Sequence, residues 1–373
     1  MKYFNMVYSF IIGVIFVFGT FHPARCDQGG PIPNTLIENV AAYEKMYDDI
    51  EFDATYAMRW DNESMHWRPS EYISSIDDTM HIVYQGKKYR FESKGSTKNL
   101  RGETTRQSEI VACDGFKTIS LIDGKLTNIV QDRVETPSLL HPHSLLFHWN
   151  FFYFPLSLYL QGKDALMRHP QAGAYRDENY KLEYIGKEYV QGLECVKIRD
   201  SSGETDESKE EYEYSIFWLA IQRNYIPVKK VSYSFDYSKT EPCQIARVER
   251  FEEISPGLWI PTEVKSSLYS VHGRLQGKMT HSQDDTITIK NIRLHPDRPD
   301  VVFEKIDIPE DAYIYHIKDG KIVKSEHKDV KPRDPRRISP IAHYLLIGAP
   351  AIAIVAYLIY RFKPRNPIKI HPD

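Results

Sequence analysis

Alternation of apolar and polar residues runs through most of this chain and constrains its fold more than any other feature. In one clear run, Phe52, Ala54, Tyr56, Met58 and Trp60 alternate with mostly polar neighbours, as on a strand with one buried face. Similar runs occupy residues 79–85, 87–94, 106–113, 116–122, 125–131, 180–186, 189–199, 211–219, 227–237, 243–254, 258–271, 278–293, 312–317 and 321–325. Short glycine-bearing turns separate several of them, which predicts antiparallel hairpins. The pattern predicts a large, curved antiparallel sheet.

Two segments depart from this period. Residues 35–49 carry apolar side chains at helical spacing after Thr35 and Glu38, which have the spacing of a capping box. Residues 137–179 begin with the most apolar stretch of the middle of the chain, interrupted by Pro142 and Pro155. We interpret this insertion as short helical pieces that cover an apolar cavity. The fold class is therefore α+β, with an N-terminal helix and a helical lid insertion.

The two ends of the chain differ from its middle. Residues 1–26 have a basic start, a short apolar run and small residues near Cys26, as in a secretory signal peptide. Residues 338–360 contain no Asp, Glu, Lys or Arg and are long enough for one transmembrane helix. A basic stalk, 331–337, precedes that helix and a short basic tail, 361–373, follows it. We expect residues 27–330 to form one domain on the extracytoplasmic side, periplasmic or extracellular, of a single-pass membrane protein.

Charge argues against one class of partner. The chain has 48 Lys and Arg against 51 Asp and Glu, a formal net charge of −3. Residues 331–373 carry a formal charge of +6 and residues 1–26 a charge of +2, so the predicted exported domain, residues 27–330, carries −11. An acidic domain repels nucleic acid, and we expect no nucleic-acid partner.

Several segments resemble the lipoprotein-sorting proteins LolA and LolB and the related sensor RseB. The segments are the helix-to-strand junction Asn39–Trp60, the hairpin with Cys113-Asp114-Gly115, the strand residues Trp218-Leu219-Ala220, the run Arg223–Lys229 and the run Phe251–Pro261. The resemblance covers roughly residues 35–295 and implies an incomplete β-barrel with a helical lid over an apolar cavity. It also implies a binding protein without catalysis, whose ligand is a lipid, an acyl chain or an apolar peptide.

Aromatic residues provide the candidate binding site. The chain has 25 Tyr and 17 Phe, and one aromatic face of a curved sheet can either hold an apolar ligand or simply form a core. The predicted lining residues are Trp60, Phe91, Leu145, Phe147, Trp149, Phe152, Phe154, Trp218, Phe251 and Trp259. The alternative function is a signalling or scaffold ectodomain, similar to RseB, that binds a membrane or envelope protein. A hydrolase is the third hypothesis.

Other reactive residues give weaker indications. His141 and His143 share a face of an extended segment and could bind one metal ion, but no carboxylate or cysteine lies near them in sequence. We therefore predict no metal site and no cofactor. Cys113, Cys195 and Cys243 lie on predicted strands, where they are either buried thiols or members of one disulfide. No G-x-S-x-G, H-E-x-x-H or P-loop motif is present, so we predict no catalytic residue.

Overall fold

The computed structural model describes nine parts of the chain, namely residues 29–61, 71–131, 141–150, 155–167, 181–202, 213–234, 240–270, 280–318 and 321–327. These parts contain one large sheet and a few short helices. The strands are β1 Asp49–Trp60, β2 Ile73–Gln85, β3 Lys88–Asn99, β4 Thr104–Cys113, β5 Lys117–Ile122, β6 Leu126–Gln131, β7 Lys181–Val190, β8 Leu193–Ser202, β9 Glu213–Ala220, β10 Ile226–Ser234, β11 Gln244–Ser255, β12 Leu258–Ser270, β13 Thr280–Leu294, β14 Tyr313–Lys318 and β15 Lys321–Glu326.

The strand order is β15-β14-β6-β5-β4-β3-β2-β1-β13-β12-β11-β10-β9-β8-β7. The central pair is β1 and β13, with Ile50 opposite Leu294 and Trp60 opposite Gln283. Hairpins extend from this pair to both sides, and β7 and β15 lie at opposite ends of the order, so the described sheet is open. The predicted large sheet is confirmed. One contact differs from the expected antiparallel pairing, because β14 runs parallel to β6.

The N-terminal helix, α1 (Asn34–Glu44), continues as a 3-10 turn over Lys45–Tyr47. The sequence predicts a helix over residues 35–49. The observed helix ends before residue 49, because Asp49 is already the first residue of β1. The predicted capping box does not form. Pro33 stands at the cap without a side-chain hydrogen bond, and its carbonyl oxygen accepts from the N–H of Leu36 at 3.0 Å.

The turn between β7 and β8 lies at a different position from the one predicted from the sequence. The sequence pattern places the turn at residues 187–188, directly after Gly186, but the chain reverses at Gln191-Gly192, which have positive φ angles of 53° and 78°. Gly186 instead lies inside β7, where the register shifts between Tyr184 and Gly186. A glycine inside a strand often marks a β-bulge, because it tolerates the local distortion.

Besides α1 and the 3-10 turn that follows it, three short α-helices and two 3-10 turns accompany the sheet in the described parts. They are a 3-10 turn Leu145–Asn150, α2 Leu156–Leu160, α3 Lys163–Met167 and α4 Val301–Glu304, with another 3-10 turn at Ile221–Arg223. None of the helices in these parts is long and apolar enough to cross a membrane. The predicted signal peptide 1–26, stalk 331–337, transmembrane helix 338–360 and tail 361–373 lie outside the described residues.

The two faces of the sheet differ in what covers them. We call the face that carries Phe52, Tyr56, Ile260 and Ile287 the inner face, because residues of the insertion pack on it. Strand partners that lie opposite each other share a face, which assigns Phe217 and Lys230 to the same inner face. Trp218 and Lys229 lie on the outer face. The main core is on the inner side.

Candidate ligand-binding face

The lid segment, residues 141–150 and 155–167, contacts the inner face of the sheet. Every residue from Pro142 to Phe147 is buried. Leu145 and Leu146 join the core cluster of the central strands, while Phe147 packs edge-to-face on Phe217, with ring centroids 5.3 Å apart. Short helical pieces held mainly by side-chain contacts cover this face.

Helix α2 of the lid segment is tied to helix α1. Its residues Leu156, Tyr159 and Leu160 pack with Leu36 and Val40 over the inner face of β8 and β9. The packing is apolar, and the contact includes one charged group at the end of α1.

That group is the carboxylate of Glu44, which accepts hydrogen bonds from the backbone N–H groups of Leu156 and Ser157. The residue is only 7% exposed. Burial raises the pKa of Glu44 to about 7, because desolvation of the charged form outweighs the hydrogen bonds that favour it. The protonation state of Glu44 therefore changes near neutral pH, at the junction between the helix and the lid.

Two histidines lie at the start of the lid segment, His143 fully buried and His141 partly buried. His143 Nε2 lies 2.8 Å from the backbone oxygen of Asn224, and His141 Nε2 lies 3.3 Å from that of Glu44. Their rings stack with centroids 5.5 Å apart. Desolvation lowers the pKa of His141 to about 4 and that of His143 to about 3, so both are neutral at pH 7.

Their arrangement does not form a metal centre with other donors. The ring of Tyr47 packs edge-on against both imidazoles, at 5.7 Å from His141 and 5.6 Å from His143. Among the residues that the structure describes, no group of three or more His, Cys, Asp and Glu side chains could hold a metal ion. His143 thus joins the lid segment to the β9–β10 turn, and His141 joins it to the end of α1.

Asn224 connects three elements beneath the lid segment. Its Oδ1 accepts from the N–H of Trp259 at 2.7 Å and from the hydroxyl of Tyr47 at 3.2 Å, and its Nδ2 donates to the oxygen of Gly257 at 2.8 Å. Asn224 has a φ of 57° in the β9–β10 turn, a conformation that Asn adopts more readily than most residues. This side chain fastens that turn to the β11–β12 hairpin.

A polar belt crosses the inner face over β10 to β13. It consists of the buried side chains Lys230, Gln244, Ser266, Gln283 and Asp285. Strand register aligns Lys230, Ala246, Ser266 and Asp285 in one row across four strands. The next row along the strands is apolar and contains Val248, Val264 and Ile287. The inner face is therefore amphipathic.

Four of the five belt side chains satisfy one another or a neighbour. Gln244 Nε2 donates to Ser266 Oγ at 3.0 Å. The carboxylate of Asp285 accepts from Gln283 Nε2 at 2.9 Å and from the Tyr56 hydroxyl at 3.2 Å. Burial raises the pKa of Asp285 to about 7 despite these bonds.

Lys230 is the exception in the belt. Its residue is 1% exposed, and its Nζ has no hydrogen-bond acceptor among the described residues. The nearest recorded ring contact places Nζ 5.6 Å from the centroid of Phe147 in the lid segment. Desolvation lowers the pKa of Lys230 to about 8, so most of the ammonium remains charged at pH 7.

The predicted lining residues divide between the two faces. Leu145 and Phe147 are buried under the lid segment, and Trp60 and Phe91 pack at the margin of the inner cluster. Phe251 is half-buried and contacts both the inner cluster and an outer one.

The two other tryptophans are on the outer side. Trp218 lies on the outer face between Lys197 and Lys229, because its neighbour Phe217 points inward and side chains alternate along a strand. Trp259 stacks against the guanidinium of Arg223 at 3.5 Å, opposite in face to Leu258 and Ile260. The side chain of Trp149 and residues Phe152 and Phe154 lie outside the described residues.

The polar belt was not among the features predicted from the sequence. The adjacent residues Lys229 and Lys230 contained a signal for it, because two consecutive strand residues face opposite sides and one lysine had to point inward. Asp284 and Asp285 present the same signal on β13.

The surroundings of the described cysteines do not favour the thiolate form that a nucleophile needs. Cys113, Cys195 and Cys243 form no disulfide within the part of the chain that the structure describes. Burial raises the pKa of Cys113 and brings that of Cys195 to about 11, which is opposite to the shift that activates a catalytic thiolate. Cys113 and Cys195 are fully buried and pack as small apolar side chains.

Comparison with known proteins gives distant structural similarities. No protein-family model matches the chain, and no curated protein matches it in sequence. A DUF1329 family protein from Desulfovibrio piger has a TM-score of 0.38 at 12% identity, over 75% of this chain and 100% of that one. A putative outer membrane lipoprotein-sorting protein domain from Vibrio parahaemolyticus has a TM-score of 0.36 at 9% identity, over 72% and 95%.

Two other solved structures are also distantly similar. A LolA superfamily protein from Nitrosomonas europaea has a TM-score of 0.35 at 12% identity, over 74% of this chain and 99% of that one. The MucA/MucB complex of Pseudomonas aeruginosa gives 0.23 at 10% identity, over 70% and 99%. Scores below 0.5 do not establish a function, so the proposals below depend on the residues of this chain.

Proposed function

We propose that this chain is an extracytoplasmic binding protein that holds an apolar chain on the inner face of its sheet, beneath the lid segment. The observation that carries the proposal is the cover itself, in which the buried residues Pro142–Phe147 and the short helix α2 lie over an apolar face of an open sheet. An open sheet of this kind needs apolar cover, and an acyl chain can replace part of it.

The lid segment is suited to such an exchange. Its helices are short, five or six residues each, and short helices are marginally stable without tertiary contacts. Elements that move during binding usually come from the least stable parts of a protein. Each CH₂ group of a ligand that enters the site would contribute roughly 0.8 kcal/mol of binding free energy.

Binding without chemistry fits the described groups better than catalysis does. The two histidines have pKa values too low for a general base at neutral pH, and the buried thiols have raised pKa values. The proposal includes export by residues 1–26 and attachment to a membrane by residues 338–360, and both parts depend on the sequence of these residues alone.

Native mass spectrometry of the purified full-length chain tests the proposal. We expect an added mass from a co-purified amphiphile, or a one-to-one adduct after addition of hexadecanol. Absence of both would contradict the proposal. Retention of a protein partner with no bound amphiphile would favour the alternative of a scaffold ectodomain.

A further inference from the structure

The ammonium of Lys230 is buried and has no hydrogen-bond acceptor among the described residues. The lysine lies opposite Phe217 on β9 and opposite Ala246 on β11, so its side chain starts on the inner face. Its neighbour Lys229 points to the other side, where its Nζ lies 4.8 Å from the ring centroid of Trp218. Two adjacent lysines therefore occupy different surroundings, one buried and one half-exposed.

No described group accepts a hydrogen bond from the ammonium of Lys230. The carboxylate of Asp285 is in the same row but three strands away, roughly 14 Å at the usual strand spacing, and it is engaged by Tyr56 and Gln283. Asp200 attracts the ammonium electrostatically without a recorded hydrogen bond to it, and its Oδ2 accepts from the hydroxyl of Tyr159. A buried charge that makes no hydrogen bond is destabilising.

We propose that Lys230 binds the anionic end group of a single-chain amphiphile, a carboxylate or a phosphate, whose apolar chain lies on the inner face beside it. This inference rests on the proposed function and specifies the ligand class. The apolar row Val248, Val264 and Ile287 begins one pair of residues further along the strands, at about 7 Å from the Lys230 row. A head group at Lys230 thus places the first methylene groups on apolar surface.

The belt also orients the ligand. Asp285 is at the β13 end of the row and Lys230 at the β10 end, so the anion is attracted to one end and repelled from the other. The ring of Phe147, close to Lys230 Nζ, belongs to the lid segment. The approach of a head group to the ammonium therefore requires Phe147 to shift, which couples ligand entry to movement of the lid.

Equilibrium binding of radiolabelled hexadecanoate and hexadecanol to the full-length chain tests the inference. These ligands have equal chain lengths but differ in the charge of the end group. We expect Lys230→Met to weaken hexadecanoate binding about tenfold to a hundredfold, the range for a lost hydrogen bond to a charged group, with hexadecanol unchanged. Lys229→Met is the matched control and should change neither. Palmitoyl lysophosphatidic acid, measured in the same way, tests a phosphate end group in place of the carboxylate. Binding of either acid that depends on Lys230 supports the inference.

The outcomes separate the two proposals. If hexadecanol and hexadecanoate bind equally well to the wild type, or if Lys230→Met affects neither, the role of Lys230 is wrong while the binding function stands. If none of the three ligands binds, the proposed function fails as well. Should Lys230→Met not fold, Lys230→Gln supplies a second neutral variant, and Lys230→Arg should retain hexadecanoate binding.

Discussion

His143 Nε2 lies 2.8 Å from the backbone oxygen of Asn224, and this contact joins the lid segment to the turn between β9 and β10. The ring of His143 is buried and neutral, so it donates from Nε2 to that oxygen. On the other side of the turn, the Asn224 side chain holds the β11–β12 hairpin. Asn224 thus contacts both the lid segment and the β11–β12 hairpin of the sheet.

Asn224→Ala should lower the free energy of unfolding by about 3 kcal/mol. The substitution leaves the N–H of Trp259 and the oxygen of Gly257 without their buried partner, at about 1–3 kcal/mol for each unsatisfied group. Chemical denaturation of the full-length chain measures the loss. Asn291→Ala is the control, because Asn291 has a similar φ of 55° but is exposed, and the hydrogen bond from its Nδ2 to Asp53 Oδ2 is exposed as well. It should cost about 1 kcal/mol or less, and equal losses would show that backbone strain alone accounts for the effect.

His141 and His143 should make the protein sensitive to acid. Their pKa values of about 4 and about 3 in the folded state lie below the value of about 6.5 in an unfolded chain. The unfolded state therefore binds more protons below pH 6.5, and stability present above that pH is lost as the pH falls toward 4. At pH 5 each histidine should contribute a loss of about 2 kcal/mol.

His143→Gln isolates this effect, since Gln can donate to the Asn224 oxygen without titrating. Between pH 7 and pH 5 the wild type should lose about 2 kcal/mol more than the variant. His295→Gln, at an exposed position, should follow the wild type. Parallel pH profiles for wild type and His143→Gln would contradict the assignment.

Glu44 should act in the opposite direction over a neighbouring range. Its folded pKa of about 7 exceeds the unfolded value of about 4.5, so the stability it contributes is complete below pH 4.5 and is lost as the pH rises through 7. Glu44→Gln should remove this dependence, which amounts to roughly 3 kcal/mol between pH 4.5 and pH 8. Denaturation at both pH values checks it, with Glu38→Gln on the exposed side of α1 as the control. If the difference in free energy of unfolding between the wild type and Glu44→Gln is the same at both pH values, the effect is refuted.

Phe147 should anchor the lid segment. Phe147→Ala removes a ring that is 2% exposed and packs on Phe217, and such truncations in a core cost about 3–5 kcal/mol. Phe116→Ala removes the same side chain from a turn where it is 82% exposed, with an expected change below about 0.5 kcal/mol. Proteolysis should detect faster cleavage in residues 141–167 of Phe147→Ala alone. Unchanged cleavage would mean that other contacts hold the lid.

The strands were largely predictable because alternation depends only on which face is buried. The β7–β8 turn was not, since Gly186 and Gly192 both fit a turn and pairing with β9 decided between them. The parallel contact of β14 with β6 pairs residues that are 187 apart in sequence, such as Tyr313 and Leu126, and local patterns contain no information on it. Within the site, buried Leu145 and Phe147 were predictable from hydrophobicity. Lys230 was not selected because a lysine is rarely fully buried, although its neighbour Lys229 indicated it.

Photo-crosslinking of the full-length chain with a diazirine-bearing hexadecanoate tests the central claim most directly. The account predicts labelled residues on the inner face of β8–β13, such as Phe217, Val264 and Ile287, and within the lid segment, with labelling reduced by excess unlabelled hexadecanoate. Saturable labelling confined to the outer face around Trp218 and Trp259, or no saturable labelling at all, would contradict it.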